Sequence, residues 1–286
     1  MRAQRLTDTI SYHGEGPVWW EATGRLRFVD MLHGAVIEVD DDGSHRRLAV
    51  PSRVASVIRP RTGGGALVAT ERGVALGRAE DLSDLEEVVE LYADPTIRTN
   101  EGGCDPDGRL WIGTMSWERV AGAAKVYRWD GPGAQPVEAW GGATTANGLG
   151  FSPDGARAYW VDTPTRTITL LDYDAQAGLV NPRPWVVIEE GAGKPDGLTV
   201  DAEGGVWVAL HRGGAVRRYD AEGRLSAVVE VEVSKVTACA FGGDSLDRLF
   251  ITTSRENLPD DVEPASGSLY VAEVGVTGLA PLPFRG

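Results

Sequence analysis

A turn rich in glycine, aspartate and proline, followed at once by a short apolar or aromatic stretch, recurs six times along this chain of 286 residues. No other feature constrains the fold as strongly, because a unit that small cannot bury a hydrophobic face alone and must stack on its neighbours. The turn at 22–24 leads into 25–29, 61–65 into 66–69, and 105–108 into 109–113. The series continues with 152–155 into 156–161, 201–205 into 206–210, and 242–247 into 248–252. Successive stretches begin roughly 40–50 residues apart, the period of four-stranded propeller blades. A second short stretch follows about a dozen residues later at 35–39, 125–129, 167–173, 215–219 and 268–273. Alternating polarity and dense Gly, Pro, Asn and Asp punctuation favour strands over helices. Residues 80–92 hold good helix formers, yet their place between blade strands fits a strand with a charged turn equally well.

The pattern predicts an all-β, six-bladed β-propeller formed by residues 1–286 as a single domain, with two stacked sandwiches or a longer solenoid as rival architectures. Such a ring must close, and residues 5–11 are placed to add a strand beside the C-terminal hairpin near 269–274. Innermost strands of a propeller line a central channel. Short motifs at blade starts therefore come from six distant places to one small region.

Charge narrows the partners. With 28 Lys and Arg against 42 Asp and Glu, the net charge is −14. Phosphate backbones and anionic lipid would repel such a chain, so nucleic acid and membrane surfaces are not its expected partners. A metal cation suits it better. The first residues contain no apolar signal-peptide core, and no apolar run approaches the roughly 18 residues a membrane span needs. Two sparse cysteines, Cys104 and Cys239, fit a reducing cytoplasm.

Four segments at blade entries set an oxygen-bearing side chain beside glycine. They are His13-Gly14-Glu15-Gly16-Pro17, Arg98-Thr99-Asn100-Glu101-Gly102, Asn147-Gly148-Leu149 and Lys194-Pro195-Asp196-Gly197. Taken singly, each has an ordinary reading as a turn former or a solvated loop acid. Together, Glu15, Asn147 and Asp196 offer hard oxygen donors suited to Ca²⁺, Mg²⁺ or Mn²⁺, with Zn²⁺ also accepting carboxylate. Three protein donors leave positions open for water or substrate, as a catalytic metal requires.

In these motifs the chain resembles the SMP-30/gluconolactonase/luciferin-regenerating-like family. The matching stretches are HGEGPVWW at 13–20, RTNEGGCDPDGRLWIGTM at 98–115, NGLGFSPDG at 147–155 and YWVDTPTRTI at 159–168. KPDGLTVDAEGGVWVAL at 194–210 and TACAFGGDSLDRLFITT at 237–253 complete the series. The resemblance implies a six-bladed propeller with one divalent cation in the central channel, held by Glu15, Asn147 and Asp196. Ca²⁺ leads the candidate ions, with Zn²⁺, Mn²⁺, Mg²⁺ and Fe²⁺ behind it. The activity implied is a divalent-metal-dependent sugar lactonase, hydrolysing an aldonolactone of the glucono-, xylono- or arabinono- type to its aldonic acid. Asp196 would be the general base, and Arg98, Asn100 and Glu118 would hold the sugar lactone. A monomer or weak homodimer is the implied state. Rival activities are a metal-dependent phosphotriesterase or other esterase, and a non-catalytic calcium-binding regulatory protein.

This chain departs from the family pattern at three places. The usual Asn-Asp-Gly reads Asn100-Glu101-Gly102, which lengthens the acid by one methylene. Lys194 stands where an aromatic is frequent, and His211 where an aromatic or amide is usual. Each either shapes the pocket or sits harmlessly in solvent or at a turn. Other chemistry lacks its signature. The four histidines have no metal-ligand spacing, there is no Gly-x-Ser-x-Gly elbow, and Ser152 and Ser254 read as turn residues. The nine tryptophans read as blade packing rather than a stacking platform.

Overall fold

The computed structural model describes residues 1–259 and 261–286. It contains six four-stranded antiparallel sheets. Among the described residues the only helical segments are two single 3₁₀ turns, Met31–His33 and Thr163–Thr165. The innermost strands are Gly14–Trp20, Val57–Pro60, Ile97–Cys104, Ala146–Phe151, Lys194–Val200 and Val236–Gly242, defining blades 1 to 6. Each packs against the innermost strand of the next blade, and Gly14–Trp20 packs against Val236–Gly242, so the ring is closed. This is the six-bladed propeller that the turn repeat predicts.

Apolar side chains fill the wedges between blades. Trp19, Phe28 and Ile37 of blade 1 meet Phe250 and Leu269 of blade 6. Trp207 and Val216 of blade 5 meet Phe241 and Tyr270 on the other side of blade 6. Burying one such aromatic side chain is worth about 1.5–3 kcal/mol, and the wedges repeat around the ring. Outermost strands carry charge instead. His45–Ala49 and Glu86–Glu90 each expose four of their five residues, which protects free edges from pairing with another chain. Residues 80–92 accordingly form a turn and the edge strand Glu86–Glu90, not a helix.

Ring closure uses the N-terminus, as expected, but with less strand. Only Gln4–Arg5 pairs with Tyr270–Glu273 to become the outer strand of blade 6. Residues 6–11 follow as irregular chain held by bonds such as Leu6 N–H to the Leu269 carbonyl and Ser11 N–H to the Gly267 carbonyl. No described helix is long and apolar enough to cross a membrane.

Candidate metal and substrate centre

Five of the six innermost strands break register near one end of the channel, four of them at the motif residues. In blade 1 the irregularity lies between Glu15 and Val18, and in blade 3 between Thr99 and Gly102. Blade 4 slips between Asn147 and Leu149, blade 5 between Pro195 and Leu198, and blade 6 between Val236 and Ala238. A β-bulge bends its strand and re-aims a side chain that regular pleating would send into the blade interface. Glycine makes the bulges buildable. Gly16 has φ +53°, and a Cβ on Gly197 would sit 2.5 Å from the Ala238 Cβ of the next blade.

The re-aimed side chains meet. Glu15, Arg98, Asn100, Glu101, Asn147 and Asp196 are each at most 6% exposed although every one is polar or charged. Arg98 Nη1 donates to Asn100 Oδ1 at 2.9 Å, and Asn100 Nδ2 donates to Asn147 Oδ1 at 3.1 Å. Asn147 Nδ2 is taken by Thr163 Oγ1 at 2.7 Å, which fixes the amide with its oxygen toward Asn100. Oδ1 keeps a second lone pair. The Arg98 guanidinium lies 5.3 Å over the Trp117 ring, whose other cationic neighbour is Arg53 at 4.8 Å.

Three buried carboxyls repel one another here. Burial, then Asp196 and Glu101, push Glu15 well above the usual carboxylate range. Burial, then Glu101 and Glu256, do the same to Asp196. Glu101 is pushed up to about 7 by burial, with Arg59 opposing. Among the described residues neither Glu15 nor Asp196 forms an ion pair with Lys or Arg, and Glu101 Oε2 has no hydrogen-bond partner. Unpaired buried acid is costly, so a cation is the counter-charge this arrangement suits. No three His, Cys, Asp or Glu side chains among the described residues form a ready-made ion cage. The expected donor set has only two acids, its third oxygen coming from the Asn147 amide.

The remaining sequence candidates divide. Glu118 is exposed in the turn after Ser116 and stands outside the buried cluster. Lys194 is exposed. His211 is half-buried and bridges to Lys235 of blade 6, and burial, with His13 and Lys235, lowers it to about 3. Cys104 and Cys239 are free, buried thiols in the packing. Five tryptophans are buried and four half-buried, consistent with blade packing. Ser254 is not the turn residue that the sequence suggests but pairs with His13 in an isolated antiparallel bridge. It is fully buried, and its Oγ lies 2.7 Å from His13 Nδ1. The two are 241 positions apart, so no local signal could have joined them.

A separate cavity of about 430 Å³ occupies the opposite end of the channel, lined by Val18, Cys104, Phe151, Val200 and Phe241 with the C-terminal Leu282. It holds none of the six clustered polar residues.

The fold is thus a closed six-bladed propeller with acids, amides and one arginine gathered at one end of its channel. The chain belongs to the SMP-30/gluconolactonase/LRE-like family, whose model matches residues 13–255. It is 34% identical to the pentonolactonase XacC of Haloferax volcanii, over 97% of this chain and 96% of that protein. It is 33% identical to regucalcin of Xenopus laevis, over 96% and 95% of the two chains. A solved structure of a calcium-binding protein, regucalcin from Agrobacterium tumefaciens, superposes with a TM-score of 0.92 at 30% identity, covering 99% of this chain and 97% of that one.

Proposed function

We propose that the protein is a divalent-cation-dependent lactonase that opens an aldonolactone to its aldonic acid. The observation that carries this reading is the single buried cluster in which Glu15, Asn147 and Asp196 stand beside Arg98 and Asn100. Glu15, Asn147 and Asp196 would hold the cation, with Ca²⁺ the leading candidate. The cation would supply Lewis-acid polarisation of the lactone carbonyl. Arg98 and Asn100, joined to each other, would bind and orient ring hydroxyls. Asp196 would take the proton of the attacking water. A carboxylate beside a dication is ordinarily a weak base, and the rise that burial and Glu101 impose on Asp196 works against that loss. Relatives named as a pentonolactonase and as a calcium-binding protein support the two halves of the reading. A mere ion binder would have no use for Arg98 held at 5% exposure beside the donor set.

The test is acid release from a panel of glucono-, xylono- and arabinonolactones, followed with a pH indicator on EDTA-stripped protein with Ca²⁺, Mg²⁺, Mn²⁺ or Zn²⁺ restored. Hydrolysis above the spontaneous rate, restored by one of these ions, is expected. Asp196→Ala should lose both ion binding and turnover while staying folded. Full turnover in stripped Asp196→Ala protein would end the proposal.

A further inference from the structure

His13 and Ser254 are buried polar residues that the proposed reaction leaves unused. Ser254 is fully buried and His13 is 8% exposed. Ser254 belongs to the chain leaving blade 6, and an isolated antiparallel bridge joins it to His13 at the entry to blade 1. The His13 backbone is pinned on both sides, its N–H donating to Asp30 Oδ1 at 2.9 Å and its carbonyl accepting from Met31 N–H at 2.9 Å. The imidazole is therefore held where the ring closes, with Nδ1 on Ser254 Oγ at 2.7 Å and Nε2 facing Glu15 Oε1 at 3.8 Å.

Hydrogen-bond accounting fixes the proton on that ring. Ser254 Oγ accepts the Glu256 N–H at 3.0 Å. Its one hydroxyl hydrogen, sealed from water, needs an acceptor, and Nδ1 of His13 is the one in reach. A ring that accepts at Nδ1 is neutral and carries its hydrogen at Nε2. That N–H points at Glu15, whose other oxygen meets the Gly16 N–H at 3.3 Å. The Nε2 contact is longer than a hydrogen bond, and contacts of this kind tighten when a site is engaged. We propose that Ser254 sets the tautomer of His13 so that its Nε2–H positions the Glu15 carboxylate for a divalent cation. The proposal rests on the reading of Glu15 as a cation donor, and it makes His13 a positioning residue rather than a catalytic one. Outer partners of this kind typically contribute 10–100-fold to metal affinity.

Two measurements on the full chain test it. Side-chain ¹⁵N NMR of wild type should show His13 protonated at Nε2 and bare at Nδ1, and Ser254→Ala should show a mixture. Calorimetric titration of stripped protein with Ca²⁺ or Mn²⁺ should show at least a tenfold loss of affinity in His13→Ala. His13→Gln, which can still present an N–H, should recover most of that loss, and thermal melting would confirm that each variant is folded. An Nδ1–H tautomer in wild type, or unchanged affinity in folded His13→Ala, would overturn the proposal. If wild type bound neither ion, the cation reading of Glu15 would fail first, while the NMR result would still report on the tautomer.

Discussion

Glu101 carries a burden that its place in a turn-like Asn-Glu-Gly string does not announce. It is 6% exposed, its Oε2 is unpartnered, and burial lifts it to about 7 from an ordinary 4.5. Between those values the folded chain holds a proton that the unfolded chain has released, so stability is greatest at the acid side and falls as pH rises through the window. Glu15 and Asp196 are raised by the same burial and mutual repulsion, so they act in the same direction. Stripped protein should therefore lose several degrees of melting temperature between about pH 5 and pH 8. Glu101→Gln should flatten part of that slope, and a bound divalent cation should flatten most of it. Scanning calorimetry across the window decides the matter, and a melting temperature that climbed with pH would reverse the assigned sign.

At the scale of strands, the sequence and the structure part company at the bulges. Strand positions follow from local chemistry: the short apolar stretch 66–69 follows the Gly63-Gly64-Gly65 turn, as at the other blade starts, and the structure has the strand Ala66–Ala69 there. Register is a property of two strands, so the slip between Pro195 and Leu198 opposite the neighbouring strand could not be read from either alone. The motif residues were legible because glycine, proline and acid cluster there, and the shared slip that turns them all toward one centre was not. The same limit hid the His13–Ser254 pair. Gly197 tests the bulge directly. Its Cβ would lie 2.5 Å from the Ala238 Cβ, 2.9 Å from the Ala238 Cα and 3.0 Å from the Thr237 carbonyl oxygen, most of them backbone that cannot rotate away. Overpacking of this kind costs about 1–3 kcal/mol. Gly197→Ala should lower the melting temperature and weaken ion binding together, because Asp196 sits in the same bulge. A variant with native ion affinity by calorimetry would show that the bulge does not aim Asp196.

Across the whole molecule, both chain ends serve closure, and they do so at different places. Gln4–Arg5 completes blade 6 from the outside. The last ten residues cross the end of the channel remote from the acid cluster, and Leu279 and Leu282 face its cavity. Along that path Ala202 N–H bonds the Thr277 carbonyl, Gly278 N–H bonds the Leu246 carbonyl, and Phe284 N–H bonds the Pro60 carbonyl. Arg285 N–H then reaches the Gly108 carbonyl, so one short strap ties blades 5, 6, 2 and 3. Its anchor is Phe284, fully buried with its ring stacked 5.1 Å from Trp129. Truncating such a side chain costs about 3–5 kcal/mol, and for a protein of this size each kcal/mol moves the melting temperature by about 2–4 °C. Phe284→Ala should therefore melt roughly 10 °C lower. Since the six clustered side chains project from the other ends of the innermost strands, its lactone turnover at 25 °C should stay at the wild-type level. Thermal melting beside a kcat/KM measurement separates the two effects. Turnover lost from a variant that is still folded would mean that the strap reaches the site through the channel, and that the two ends of the propeller are not independent.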